Sequence, residues 1–331
     1  MKFIIVFFFI LFKIQFCSAL EKTYNSNLDG FDYPYKIRYF KFKSQKQVMQ
    51  MAYMDITPEK FNGKTVVFFH GKNFCSATWN TSFNFLLENG FRIIAMDQIG
   101  FCKSSKPEFY QYSFHQLSKN SKNLIDLLNL KNFFLIGHSA GGMLGIRFAL
   151  MFPELIKKLI LINPIGLEDW KAVGVPYLTT DEWFLKQQKI DINKIREYQK
   201  STYYMGTWKN EYEIWVEMLA GMFQGIDKDL VAWHSALTYD MIYTQPVVYE
   251  LYNLKVPTVL YIGEKDNTAI GKRFSPEIVR KKIGNYSKLA KKAKRLIPNS
   301  KLYLYPNLGH APHIQNPKKF HKNLIKELNT N

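Results

Sequence analysis

The stretch Phe133-Phe134-Leu135-Ile136-Gly137-His138-Ser139-Ala140-Gly141-Gly142 decides how the rest of the chain is read. Its first four residues are a continuous apolar run, the pattern of a strand buried on both faces of a parallel sheet. The residues from Gly141 to Met151 can continue as a helix until Pro153. Between them lies G-x-S-x-G, which sets a serine on a sharp strand-to-helix turn with its hydroxyl presented outward. Glycines on both sides permit the tight turn and let neighbouring backbone approach closely. Serine is also a preferred helix N-cap, so the motif gains meaning only from its partners.

A serine hydroxyl is a poor nucleophile until a base takes its proton and a third group holds that base. The strand-like run Pro257 to Ile262 ends in Gly263-Glu264-Lys265-Asp266, and a carboxylate just past a parallel strand lies on the edge where α/β sheets bind ligands. A second run, Lys301 to Tyr305, leads through Pro306-Asn307-Leu308-Gly309 to His310. The chain order Ser, Asp, His is the one that a serine on this kind of turn requires. Upstream, Thr65 to Phe69 runs into His70-Gly71-Lys72-Asn73-Phe74. Acyl transfer needs two backbone N–H groups facing the charge that develops on a carbonyl oxygen. Ala140, after the serine, supplies one. The second comes from the upstream loop, with Lys72 the first choice and Asn73 the alternative.

At this point the sequence resembles the α/β-hydrolase superfamily, in its serine branch, with a lid inserted into the core. The resemblance rests on His70-Gly71, Asp97-Gln98-Ile99-Gly100-Phe101-Cys102-Lys103-Ser104, Gly137 to Gly142, Asp266 and Gly309-His310, and it covers the chain from about residue 35 onward. It implies a mostly parallel central sheet flanked by helices, with an α-helical cap insertion. It makes Ser139 the nucleophile, His310 the base, Asp266 the orienting acid, and Lys72 and Ala140 the oxyanion donors. Some members carry the acid after an earlier strand, which makes Glu168 and Asp169, beyond Leu159 to Asn163, rivals to Asp266. Asp266 could instead form a turn in Lys265-Asp266-Asn267. His313 competes with His310, which directly follows the glycine closing its loop. His70 and His138 read as structural or pocket-lining, His115, His234 and His321 as helical packing or surface residues, and Asp97 as the anchor of its own loop. Two departures stand out. Cys102 occupies a place where such proteins usually carry glycine, and a long basic segment from Lys272 to Lys301 separates acid from histidine.

The chain has 331 residues, of which 47% are hydrophobic, enough for a large core. The motif pieces span residues 70 to 310 and must meet in space, so the chain is read as one enzyme domain with an insertion. Residues 20–163 and 258–331 form the expected core and 164–257 the lid. Met1-Lys2, the apolar run Phe3 to Phe12 and the small residues Cys17-Ser18-Ala19 read as a signal peptide cut after Ala19, with an uncleaved anchor as the alternative. Export leaves Cys75 and Cys102. In the resembling fold both lie in loops on the active-site edge, which suggests a Cys75–Cys102 disulfide against two free thiols. No C-x-x-C or His-x-x-x-His pattern supports a metal site.

Forty-five Lys and Arg against 27 acids give a net charge of +18. The excess is spread along the chain and accompanies no nucleic-acid module, so it reads as a solvated surface with weak attraction to anionic membranes. Tyr35 to Phe42 and Val48 to Ile56 alternate like an antiparallel hairpin. Thereafter strands alternate with helical patterns at Ser76 to Leu87, Ser113 to Leu128, Ser139 to Met151 and Pro317 to Leu328, which indicates a parallel sheet. From Asn163 to Thr258 the strand pattern lapses into helical periodicity. That segment holds five of the six tryptophans, Trp170, Trp183, Trp208, Trp215 and Trp233. A cap over the sheet edge would roof the site, exclude water and favour a partly hydrophobic substrate. In the sequence, no cluster of carboxylates or arginines stands out as a recogniser of charge. The expectation is an exported carboxylic-ester hydrolase for a small, partly hydrophobic molecule, needing no cofactor. Amidase, thioesterase or carbon–carbon bond hydrolase chemistry on the same residues, and a non-catalytic apolar-ligand binder, are the alternatives.

Overall fold

The structure is a computed structural model that describes residues 22–330. The expected signal peptide, 1–19, lies outside the described residues. Eight strands form one sheet: β1 (Ile37–Ser44), β2 (Gln47–Ile56), β3 (Thr65–Phe69), β4 (Arg92–Met96), β5 (Phe133–His138), β6 (Ile156–Ile162), β7 (Thr258–Gly263) and β8 (Ser300–Tyr305). Their order is β1-β2-β4-β3-β5-β6-β7-β8. The β1–β2 and β2–β4 pairs are antiparallel, and every later pair is parallel. The hairpin thus forms one margin of the sheet, and the parallel strands carry the loops that matter.

The helices are α1 (Asn80–Glu88), α2 (Phe114–Leu127), α3 (Ala140–Met151), α4 (Thr180–Gln187), α5 (Ile192–Tyr198), α6 (Glu213–Gln224), α7 (Lys228–Thr244), α8 (Glu277–Arg280), α9 (Tyr286–Leu296), α10 (Pro312–Gln315) and α11 (Pro317–Asn329). Ser113 caps α2, its side chain accepting from Gln116 N. The helix expected from Ser76 opens as a tight 3₁₀ turn, Ser76–Trp79, before α1 begins.

Successive side chains of a strand point to opposite faces, and the core divides accordingly. Val67, Phe69, Leu135 and Leu161 join one apolar layer with residues of α2, α3 and α9. Val66, Phe68, Phe134 and Ile160 join another with α1 and α11. Both faces are covered, which is why the central strands read as unbroken apolar runs. Between β6 and β7 the chain runs through α4 to α7 with no strand. Part of this segment, including Val216, Met218 and Met222, packs with Leu28, Cys75 and Cys102 in a separate apolar cluster.

Candidate active site

The loops after β3, β5, β6, β7 and β8 converge on the carboxyl edge of the sheet. All six residues of β5 are buried, and Ser139 follows with φ 55° and ψ −120°. This conformation is strained for a residue with a Cβ and recurs where function requires it. The turn closes only because glycines flank it. A Cβ on Gly137 would lie 2.3 Å from Gly141 O, and one on Gly141 would lie 2.3 Å from Phe69 O. Ser139 N donates to Ile162 O over 3.1 Å, fastening the turn to the end of β6.

His310 arrives from the loop after β8. Its Nδ1 lies 2.7 Å from Asp266 Oδ2, and both side chains are fully buried. Asp266 is held further by Asn163 Nδ2, which donates to Oδ2 over 2.7 Å, and by Thr268 N, which donates to Oδ1 over 2.9 Å. Asn163 also accepts from Gly263 N over 2.9 Å. The amide at the end of β6 therefore ties the start of the Asp266 loop to its carboxylate. Among the described residues, the buried His310 Nε2 has no hydrogen-bond partner. In unliganded sites catalytic hydrogen bonds are often long and tighten when substrate is bound.

His138, the residue before Ser139 in the elbow, contacts His310. His138 Nε2 donates to His310 O over 2.8 Å, and the two rings are 4.9 Å apart. His138 also faces His313, whose ring lies 4.7 Å away and packs against Trp79. Burial pushes His138 well below the usual imidazole range and His313 down to about 3, with neighbouring histidines adding to both effects. Both rings are neutral at neutral pH. They form a buried, uncharged wall behind His310.

The loop after β3 lies against the serine. A Cβ on Gly71 would sit 3.1 Å from Ser139 Cβ. Among the described residues, neither Lys72 N nor Ala140 N donates a backbone hydrogen bond. The Lys72 side chain turns away. Its Nζ donates to Ser235 Oγ over 2.6 Å and lies 3.7 Å from the centre of the Tyr239 ring, and Ser235 donates to Gln187 over 2.9 Å. Loss of hydration lowers the Lys72 pKa to about 7. Asn73 Nδ2 donates to Tyr203 OH over 2.9 Å, and the Tyr203 ring lies 4.8 Å from His310. Ser139 is only 5% exposed and His310 0%, so the three side chains are closed over.

The rival residues are occupied elsewhere. Glu168 accepts from Gly284 N and Trp170 Nε1, and Asp169 from Tyr249 OH and Lys171 N. His70 Nε2 accepts from Gln98 N, a structural role. His234 bonds Tyr112, His321 bonds Ser82, and His115 lies on α2. Asp97 does more than fix its own loop: it accepts from Tyr33 OH, Ser76 N and Lys103 N, joining three segments. Cys75 and Cys102 are bonded, their Cα atoms 5.9 Å apart. Cys102 has φ 47°, the left-handed conformation that makes glycine the ordinary occupant. Asp97 lies beside this pair, the ligand atoms of the three residues falling within 4.8 Å of one another, but the sulfur atoms are spent on each other. The supporting Asn163 and the Tyr203 cover were not read from the sequence. Asn163 could have been, since it ends the apolar run Leu159 to Ile162, whereas nothing local marks Tyr203.

The family described as "alpha/beta hydrolase fold" matches residues 64–317. Among solved structures, a "probable hydrolytic enzyme" from Pseudomonas aeruginosa PAO1 is 51% identical, with a TM-score of 0.93 over 94% of this chain and 100% of that one. An esterase from Exiguobacterium antarcticum shares the fold at 21% identity and a TM-score of 0.68, over 85% of this chain and 96% of its own. A curated relative, the AB hydrolase superfamily protein YisY of Bacillus subtilis, is 24% identical over 81% of this chain and 93% of its own length. The rice "Probable 1-acylglycerol-3-phosphate O-acyltransferase" is 30% identical over 44% of this chain, and this chain spans only 35% of that protein. The eight-stranded sheet, its loop order and this family match agree: the chain belongs to the α/β-hydrolase fold family.

Proposed function

We propose that this protein is an exported serine hydrolase that cleaves a carboxylic ester of a small, partly hydrophobic molecule through Ser139, His310 and Asp266. The observation that carries this reading is the buried His310–Asp266 hydrogen bond of 2.7 Å, with the other ring nitrogen unpartnered, together with a serine held at φ 55° at the end of β5. Ser139 Oγ attacks the carbonyl carbon while His310 Nε2 takes its proton, and Asp266 steadies the resulting imidazolium. Lys72 N and Ala140 N receive the oxyanion. Collapse of the tetrahedral intermediate breaks the ester bond, and the leaving alcohol takes the proton from His310. Water then adds to the acyl-enzyme by the same route, releasing the acid and restoring Ser139.

The helical segment 164–257 serves as the lid over this centre, and residues 20–163 and 258–331 form the catalytic core. Tyr203, held by Asn73, packs on His310, so substrate is admitted when that ring shifts. The leader-like residues 1–19 and the Cys75–Cys102 bond support export, since disulfides persist in oxidising compartments. Hydrolysis of nitrophenyl esters of rising chain length tests the reading. The wild type should turn them over and Ser139→Ala should not; equal rates for the two proteins would refute it.

A further inference from the structure

Beside the proposed catalytic centre lies a cavity of about 410 Å³, within the range that holds small ligands. It reaches the centre at two points. Asn73 follows the oxyanion donor Lys72, and Thr268 donates its backbone N–H to Asp266 Oδ1; both line the cavity. Its walls are apolar, built from Trp183, Ile195, Leu219, Phe223 and Ile270.

Five cations line the same space, Lys186, Lys189, Lys194, Lys272 and Arg273, and no carboxylate does. They come from α4, from the start of the α5 region and from the turn after β7, so the sequence scatters what the fold gathers. Two are committed: Lys194 pairs with Asp191, and Lys272 Nζ donates to the Asn267 and Ile283 carbonyls. Lys186 lies 4.5 Å from the Phe274 ring, and the Arg273 guanidinium lies 5.4 Å from the Tyr198 ring. Among the described residues, Lys186, Lys189 and Arg273 form no ion pair within 4 Å, while Lys186 is near enough to Glu182 on α4 to help lower its carboxyl pKa. Two buried polar groups on the cavity wall are also unpartnered: the Gln199 side-chain amide, at both its atoms, and the Thr268 hydroxyl. Buried polar groups are nearly always hydrogen-bonded, so each of these calls for a partner that the described residues do not supply.

We infer that the cavity binds an ester which joins an apolar chain to a negatively charged group, the chain lying against Leu219 and Phe223 and the anion meeting Lys186 and Arg273. This rests on the hydrolase reading for the identity of the scissile bond, but the selectivity for anionic amphiphiles stands on the cavity alone. The anion is a carboxylate or a phosphate, both of which suit lysine and arginine.

Calorimetric titration of the full chain with decanoate, decyl phosphate and the neutral 1-decyl glycerol ether, all below their micelle concentrations, tests this. None contains an ester, so the outcome does not depend on catalysis, whose failure would show separately as loss of Ser139 reactivity. At least one anion should bind about tenfold or more tighter than the neutral compound, and which one does identifies the charged group. Lys186→Glu with Arg273→Glu should abolish that preference, whereas Lys318→Glu with Lys322→Glu, an equal charge change on the exposed face of α11, should retain it. Equal affinities, no binding of any of the three, or the same loss in both double variants would overturn the inference.

Discussion

Asn163 Nδ2 and His310 Nδ1 share one acceptor, Asp266 Oδ2, each at 2.7 Å. The end of β6, where a rival acid could have followed, thus supplies an amide that immobilises the acid of β7. A carboxylate fixed at both oxygens holds the imidazole in a single orientation.

Asn163 stands at φ 38°, so glycine is the substitution that removes its side chain without straining the backbone. A hydrogen bond to a charged group contributes about 1.5–3 kcal/mol. Asn163→Gly should therefore lower kcat about 10- to 100-fold with little change in KM. Steady-state kinetics with a nitrophenyl ester checks this, and an unaltered kcat would remove Asn163 from the arrangement.

The Lys72 side chain fastens the loop of the proposed oxyanion donor to Ser235 on α7. Lys72→Met keeps the length of the stem and loses that tie, so the backbone donor becomes less well placed. Because a whole oxyanion donor contributes about 10²- to 10³-fold, loosening one should cost kcat roughly tenfold. The same variant carries a stability signature. Lys72 has a folded pKa of about 7, below the ordinary 10.5, so the unfolded chain binds more protons between those values. Wild-type stability should rise relative to Lys72→Met as pH increases from 7 to 10.5, measured by urea unfolding, and parallel curves would contradict it.

Much of this was legible in the sequence because it depends on local pattern. Phe133 to Ile136 had to be a buried strand, and Gly137 and Gly141 leave room for the turn that only glycine permits. Asp266 and His310 were legible because each follows an apolar run whose end fixes its position on the sheet edge. Asn163, Tyr203 and the cation-lined cavity were not, because each acquires its role from a partner more than 40 residues distant in the chain, as Asn163 does from Asp266 across 103 positions. The basic segment from Lys272 to Lys301 was legible, but its nearness to Lys186 was not, because that depends on α4 packing against the turn after β7.

The Cys75–Cys102 bond closes a loop of 27 residues. Closing a loop of that size restricts the unfolded chain by about 3.5 kcal/mol. The double variant Cys75→Ser, Cys102→Ser should lose roughly that much stability in denaturant titration, and the unreduced, unfolded wild type should offer neither thiol to an alkylating reagent. Alkylation of both would dispose of the bond.

Acid should destabilise the fold through its neutral buried histidines. Burial lowers His313 to about 3 and His321 to about 4, below the ordinary 6.5, so the unfolded chain takes up protons that the folded chain refuses. Their contribution is complete above pH 6.5 and is lost as pH falls from 6.5 toward 4, with a slope of at most about 1.4 kcal/mol per pH unit for each group. His321→Gln should flatten the decline of unfolding free energy across this window, and an unchanged slope would contradict the assignment.

The proposed chemistry requires that His310 activate the Ser139 hydroxyl. Labelling with a fluorophosphonate, which reacts only with such a serine, is the most direct measurement. The wild type should be labelled stoichiometrically at Ser139, with labelling abolished in Ser139→Ala and strongly slowed in His310→Ala. Labelling of wild type and Ser139→Ala alike, or of neither, would contradict the account.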